Sequence, residues 1–188
     1  MTDAAVKPSL AERIHWDTRI KPGLIALVIA AAAYLIGVYM VAPRIAAAQP
    51  EYLPESFLSL PLGHVMLTTA EGGALLPVRL AETTTQRSVG FRDVGETAID
   101  NQFLLYVPSR ATTARTSYSV RDVRAPIEFL LFDAEGLAIA THVGPLGATS
   151  VSIPEPHRWV LAAEAGAFER LGLEVGTTSL VPDSIVKY

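Results

Sequence analysis

Residues 127–142 read IEFLLFDAEGLAIATH, and this stretch decides the fold. Ile127–Phe132 is a short apolar run of strand length. Asp133-Ala134-Glu135-Gly136 follows, with glycine last, which suits a hairpin connection because glycine accepts φ > 0. Leu137–His142 is the return strand. Glu128, flanked by Ile127 and Phe129, reads either as a buried carboxylate or, as alternation favours, as a solvent-facing residue with its neighbours in the core.

Working outward, His64–Thr69 and Ala74–Leu80 form a second predicted hairpin around Glu71-Gly72-Gly73. Phe103–Val107 is a brief apolar run bounded by Pro108, and Ser117–Val123 alternates. Trp159–Ala163 and Ser179–Val181 complete the predicted strands. Thr83–Val89 and Ala167–Leu171 read as short helices, the second followed by Gly172 where left-handed geometry favours glycine. Strands outnumber helices, so residues 65–188 are expected to form one α+β, mostly β domain.

The N-terminal third reads differently. Residues 23–42, GLIALVIAAAAYLIGVYMVA, carry no charge and no Asn, Gln, Ser or Thr. About 20 such residues suffice to cross a hydrocarbon core as a helix. A single-pass transmembrane helix is therefore expected at 23–42. Lys7, Arg13, Arg19 and Lys21 precede it and only Arg44 follows closely, which places residues 1–22 in the cytoplasm and the domain in the periplasm. A cleaved signal peptide, with Ala46-Ala47-Ala48 as its site, is the rival, but the apolar run exceeds the usual ~7–15 residues. Within residues 1–22, Ser9 and Glu12 have capping-box spacing and Trp16 suits a headgroup region, so an interfacial helix and a solvated arm are both open. Residues 43–64 hold Pro43, Pro50, Pro54 and Pro61 and read as an extended spacer. Its Tyr52 and Phe57 are apolar enough to lie on a surface, of the same domain or of a partner.

Four pieces of residues 76–182 together resemble the uncharacterised DUF192 family, whose members are small and often exported or anchored. Leu80-Ala81-Glu82-Thr83 with Gln86-Arg87 and Gly90-Phe91-Arg92 is similar to its first segment. Phe103–Pro108 is similar to its apolar strand, and Pro126–Gly136 to its hairpin. Trp159-Val160-Leu161, Gly166 and Glu169–Gly176 are similar to its ending. The family's distinctive run F-W-M-K-N-T corresponds to Tyr118-Ser119-Val120-Arg121-Asp122-Val123, so its Trp, Met and Asn are replaced. Any family pocket here is expected to be lost or changed, with Tyr118, Asp122 and Glu128 as the residues that would line what survives. The resemblance implies no reaction.

Chemistry is sparse elsewhere. A net charge of −4 gives no basic surplus for nucleic acid, and the absence of cysteine removes disulfides and thiolate chemistry. The four histidines, His15, His64, His142 and His157, sit at no metal-ligand spacing, and no G-x-S-x-G or phosphate loop occurs. No catalytic, cofactor or metal residue is therefore expected. Arg115, Arg121 and Arg124 lie in the densest basic stretch, a solvated edge or a surface for an acidic partner. Ala30, Ala33 and Gly37 share one face of the apolar helix, and small faces let helices approach closely in lipid. These features predict a non-catalytic accessory subunit of a larger membrane complex, with other membrane subunits and the lipid bilayer as partners. The alternative is a membrane-tethered domain that binds a small ligand in a modified family pocket.

Overall fold

The computed structural model describes residues 22–36, 39, 49–113 and 115–188. The chain divides into two units, Met1–Ile45 and Ala46–Tyr188. In the first, Pro22–Ile36 is a helix, α1, with proline in the first turn where no amide is needed. Its side chains from Leu27 to Ile36 are exposed, Ala30 and Ala33 among them. Gly37, and with it the full small-residue face, lies outside the described residues, as do residues 1–21. No helix among the described residues is long and apolar enough to cross a membrane. The described helix takes in residues 23–36 of the predicted span, and of the remainder only Tyr39 is described.

The second unit is mostly β with a few short helices. Its strands are β1 (Leu62–Thr69), β2 (Gly72–Ala81), β3 (Leu104–Tyr106), β4 (Thr116–Ser119), β5 (Ile127–Phe132), β6 (Ala138–Gly144), β7 (Ser150–Ile153), β8 (Trp159–Glu164), β9 (Ser179–Leu180) and β10 (Val186–Lys187). Its helices are α2 (Glu55–Leu58), α3 (Thr84–Val89) and α4 (Ala167–Arg170). The main sheet runs β10-β1-β2-β3-β8-β5-β6, antiparallel except where β2 lies parallel to β3 after the α3 crossover. Strand β9 pairs with β1 through Leu67 and Leu180, and bridges to Leu137 at the head of β6. The sheet therefore closes into a barrel. Strands β4 and β7 make a separate two-stranded ribbon.

Two apolar layers result. Val65, Leu67, Val78, Leu80, Leu105, Leu130, Leu161 and Leu180 fill the inside, with Phe168 of α4. Tyr106, Ile127, Phe129, Leu131, Val160 and Ala162 face the other way, beneath the β4–β7 ribbon and the loops bearing Phe57, Phe91 and Ile99. Strands β3, β5 and β8 are thus covered on both faces, which explains their unbroken apolar runs.

The central hairpin is fixed by its turn. Asp133 Oδ1 accepts from the amides of Glu135 at 3.1 Å and Leu137 at 2.8 Å. Gly136 follows with φ 91°, and a Cβ there would lie 2.1 Å from the carbonyl oxygen of Leu180. Only glycine fits both the left-handed backbone and the close approach of β9.

Three expectations need correction. The described part of the predicted spacer, 49–64, belongs to the domain. Phe57 is fully buried against Phe91, with ring centroids 5.5 Å apart, so it cannot dock on a partner. Arg79 holds this segment down, donating from Nη1 to the carbonyls of Leu58 and Leu60, each at 3.0 Å, beneath the face of Phe57. Secondly, Glu128 is buried, because β5 has no solvent face. Thirdly, the strand predicted over 117–123 ends at Ser119, since Asp122 turns the chain with φ 58°. Strands β7 and β10 were not anticipated.

Candidate functional site

A groove of about 370 Å³ opens between α3, the 108–112 segment and β4. Helix α3 supplies Thr84, Arg87 and Ser88, and β4 supplies Thr116, Ser117, Tyr118 and Ser119. Pro108 and Thr112 close the side. Local sequence sets both walls. Thr83 begins α3 through a capping box: its hydroxyl accepts from the Gln86 amide at 3.2 Å, and Gln86 Oε1 accepts from the Thr83 amide at 2.9 Å. Gly90 ends the helix with φ 54°, and turns the chain beside the Ser119 carbonyl and the Tyr106 hydroxyl.

Among the described residues that line the wall, Arg87 is the one basic side chain and no acidic one stands beside it. Its Nη1 donates to the Glu82 carbonyl at 2.5 Å and its Nη2 to the Thr84 hydroxyl at 3.1 Å. Among the described residues no carboxylate forms an ion pair with it. The guanidinium keeps further N–H donors for a ligand.

Behind the groove lies a polar chain through the core. Tyr118 Oη is 2.7 Å from His157 Nε2, and His157 Nδ1 is 2.8 Å from the Glu155 carbonyl oxygen. A carbonyl only accepts, so Nδ1 carries the hydrogen and Tyr118 donates to Nε2. His157 is buried, and burial pulls its pKa below the usual histidine value. Burial pushes the Tyr118 phenol up to about 12, against the charge of Arg87. Tyr106 sits edge-on to Tyr118 at 5.0 Å, its pKa also raised by burial first and by Tyr118 second. Glu155 in turn accepts from or pairs with His142 Nε2 at 2.8 Å, and its carboxyl is held low, first by a backbone hydrogen bond and then by His142.

The predicted pocket residues are not brought together. Tyr118 reaches the groove. Asp122 lies in a separate shallow depression with Asp93, Glu96, Val123, Arg124 and Leu146. Glu128 Oε1 accepts from the Phe168 amide at 2.7 Å, so it anchors the start of α4 inside the barrel. Asp93 and Asp122 both have φ near 58–59°, and the Asp93 amide donates to the Asp122 carbonyl at 3.0 Å. Aspartate, like asparagine, tolerates this conformation, so the replacement of the family's Asn at 122 leaves the turn feasible.

Arg115, Arg121 and Arg124 are exposed, and Arg124 shares the depression with Asp93, Glu96 and Asp122. Tyr52 is half-buried and its carbonyl accepts from Gly95 at 2.7 Å. Elsewhere Arg170 lies 2.8 Å from Asp100 and 3.9 Å from Glu164, whose pKa is raised by burial and then by Asp100. Among the described residues no group of three His, Asp or Glu side chains is placed to hold a metal ion. In the sequence Arg87 stands out only as part of a motif, and nothing marks His157 for the groove. A lone histidine after Pro156 carries no local signal.

Comparison with known proteins bears on the fold. A protein of Sinorhizobium meliloti named as a candidate transcription regulator superposes with a TM-score of 0.56 at 24% identity, covering 65% of this chain and 95% of its own. A protein of unknown function from Novosphingobium aromaticivorans gives 0.55 at 18% identity, covering 72% and 94%. At these identities the likeness is one of fold. No curated protein matches the chain. The profile of DUF192, described as an uncharacterized ACR, matches residues 66–180, which span β1 to β9. That match takes in more than half of the chain, which belongs to the DUF192 family.

Proposed function

We propose that this protein is a membrane-tethered, non-catalytic domain that binds a small polar ligand in the groove between α3 and β4. One observation carries the reading: among the described residues Arg87 has no carboxylate partner, and it stands in a wall otherwise made of hydroxyl-bearing residues, Tyr118 and a proline. Small-molecule sites are concavities of roughly 300–1,000 Å³ with a few converging polar groups, and this one falls at the small end. Tyr118 is neutral at pH 7 with its proton committed to His157, so it supplies no nucleophile. The tether rests on the uncharged stretch at 23–42 and on the exposed apolar side chains of α1.

Amide spectra of the full chain in detergent, titrated with small polar metabolites, test this. Shifts confined to Thr84, Ser88, Ser117 and Ser119, and lost in Ser117→Trp, are expected. Failure of every compound to move these amides at millimolar concentration would contradict the reading.

A second reading, an accessory subunit of a membrane complex, has its own observation. Leu62, Met66, Leu75, Val186 and Tyr188 are exposed on the outer face of β1, β2 and β10. Met66 stands opposite Leu75, and His64 opposite Val186, so they form one apolar strip. Stoichiometric protein partners on gentle extraction are its mark.

A further inference from the structure

Resting on the ligand-binding reading, we propose that the groove takes a small hydroxylated carboxylate, of the uronic-acid kind. Three features select that chemistry. Arg87 is the single charge in the wall, and no carboxylate shares it among the described residues. One cation matches one carboxylate. A phosphate dianion would demand a second positive group that the wall lacks. The planar guanidinium fork also fits a carboxylate through two parallel hydrogen bonds.

The remaining wall selects the rest of the molecule. Ser117 and Ser119 bring hydroxyls that can donate and accept, Thr84 keeps its proton to donate, and Ser88, which donates to the Thr85 carbonyl, keeps acceptor capacity, which suits a ligand with several hydroxyls of its own. Threonine methyls, the Pro108 ring and Tyr118 offer apolar surface to the carbon faces of such a molecule. Tyr118 directs its hydroxyl hydrogen at His157, so its oxygen is left as an acceptor, and any contact it makes with a ligand must be with a donor. A ligand hydroxyl meets that need and a bare oxyanion does not.

Screening decides how strong the charge term is. An exposed ion pair contributes little, but Arg87 is half-buried and already fixed by Glu82 and Thr84. Hydrogen bonds to a charged group are therefore the larger contribution, and their loss corresponds to about tenfold or more in affinity.

The test titrates the full chain in detergent with glucuronate, glucose, acetate and inorganic phosphate, following the amides of Ser88, Ser117 and Ser119. Glucuronate is expected to bind about tenfold or more tightly than glucose or acetate. Arg87→Gln is expected to remove that preference, with amides outside the groove unshifted. Arg87→Lys, which keeps the charge and loses the fork, is expected to retain part of it. Equal binding of glucose and glucuronate, or tighter binding of phosphate, would overturn the carboxylate while leaving the groove a ligand site. No response to any of the four also overturns it, and the broader metabolite titration then decides whether the groove reading falls as well.

Discussion

His157 is held neutral by its surroundings: one ring nitrogen donates to a carbonyl and the other accepts from Tyr118. Protonation would force a second donor against the Tyr118 hydroxyl in a buried place. Because burial lowers the folded pKa below 6.5, the unfolded chain takes up the proton first. Stability is therefore full above pH 6.5 and falls as the pH drops from there through the folded pKa. Thermal unfolding of wild type and His157→Gln from pH 8 to 5 should show a shallower acid-side loss in the variant. Identical slopes would mean that His157 does not carry the term. Glu155 titrates lower and opens a separate window, so the comparison isolates the imidazole. None of this was legible from residues 154–158, because the partner tyrosine is 39 positions away.

At the scale of elements, the segment around α2 is part of the domain and not a leash. Phe57 is fully buried against Phe91, and the Arg79 guanidinium lies 5.0 Å from its ring centroid. Phe57→Ala should cost about 3–5 kcal/mol in urea unfolding, as large-to-small changes in packed cores do. A loss below about 1 kcal/mol would show that the segment is loosely held. Local signals made much of the fold readable. The short helix expected at Thr83–Val89, the Asp133–Gly136 turn and the continuous apolar runs of β3, β5 and β8 each sit where the sequence places them. The misreadings share one cause, which is burial supplied from far along the chain. Glu128 alternates as a solvent residue would, yet α4 and the barrel interior cover it. Prolines at 50, 54 and 61 imply extended backbone but say nothing of what Phe57 packs upon. Strand β10 is two residues long, and its partner is the edge of β1. Ser150–Ile153 of β7 alternates polar and apolar as its burial does, a strand signal present in the sequence itself.

For the whole molecule, the two readings of function use different surfaces of one barrel. The groove lies beside α3 and β4, while the apolar strip lies on β1, β2 and β10. The family resemblance located the groove only in part, through Arg87 and Tyr118, because the third dimension separates Asp122 and Glu128 from it. The most direct measurement is native mass spectrometry of the full chain purified from its native cells in mild detergent, wild type beside Ser117→Trp. The account predicts a small-molecule adduct on the wild type that the groove-filling variant lacks. Equal masses above the bare chain for both proteins, with stoichiometric protein subunits attached and no small molecule, would contradict ligand binding and leave the accessory-subunit reading standing.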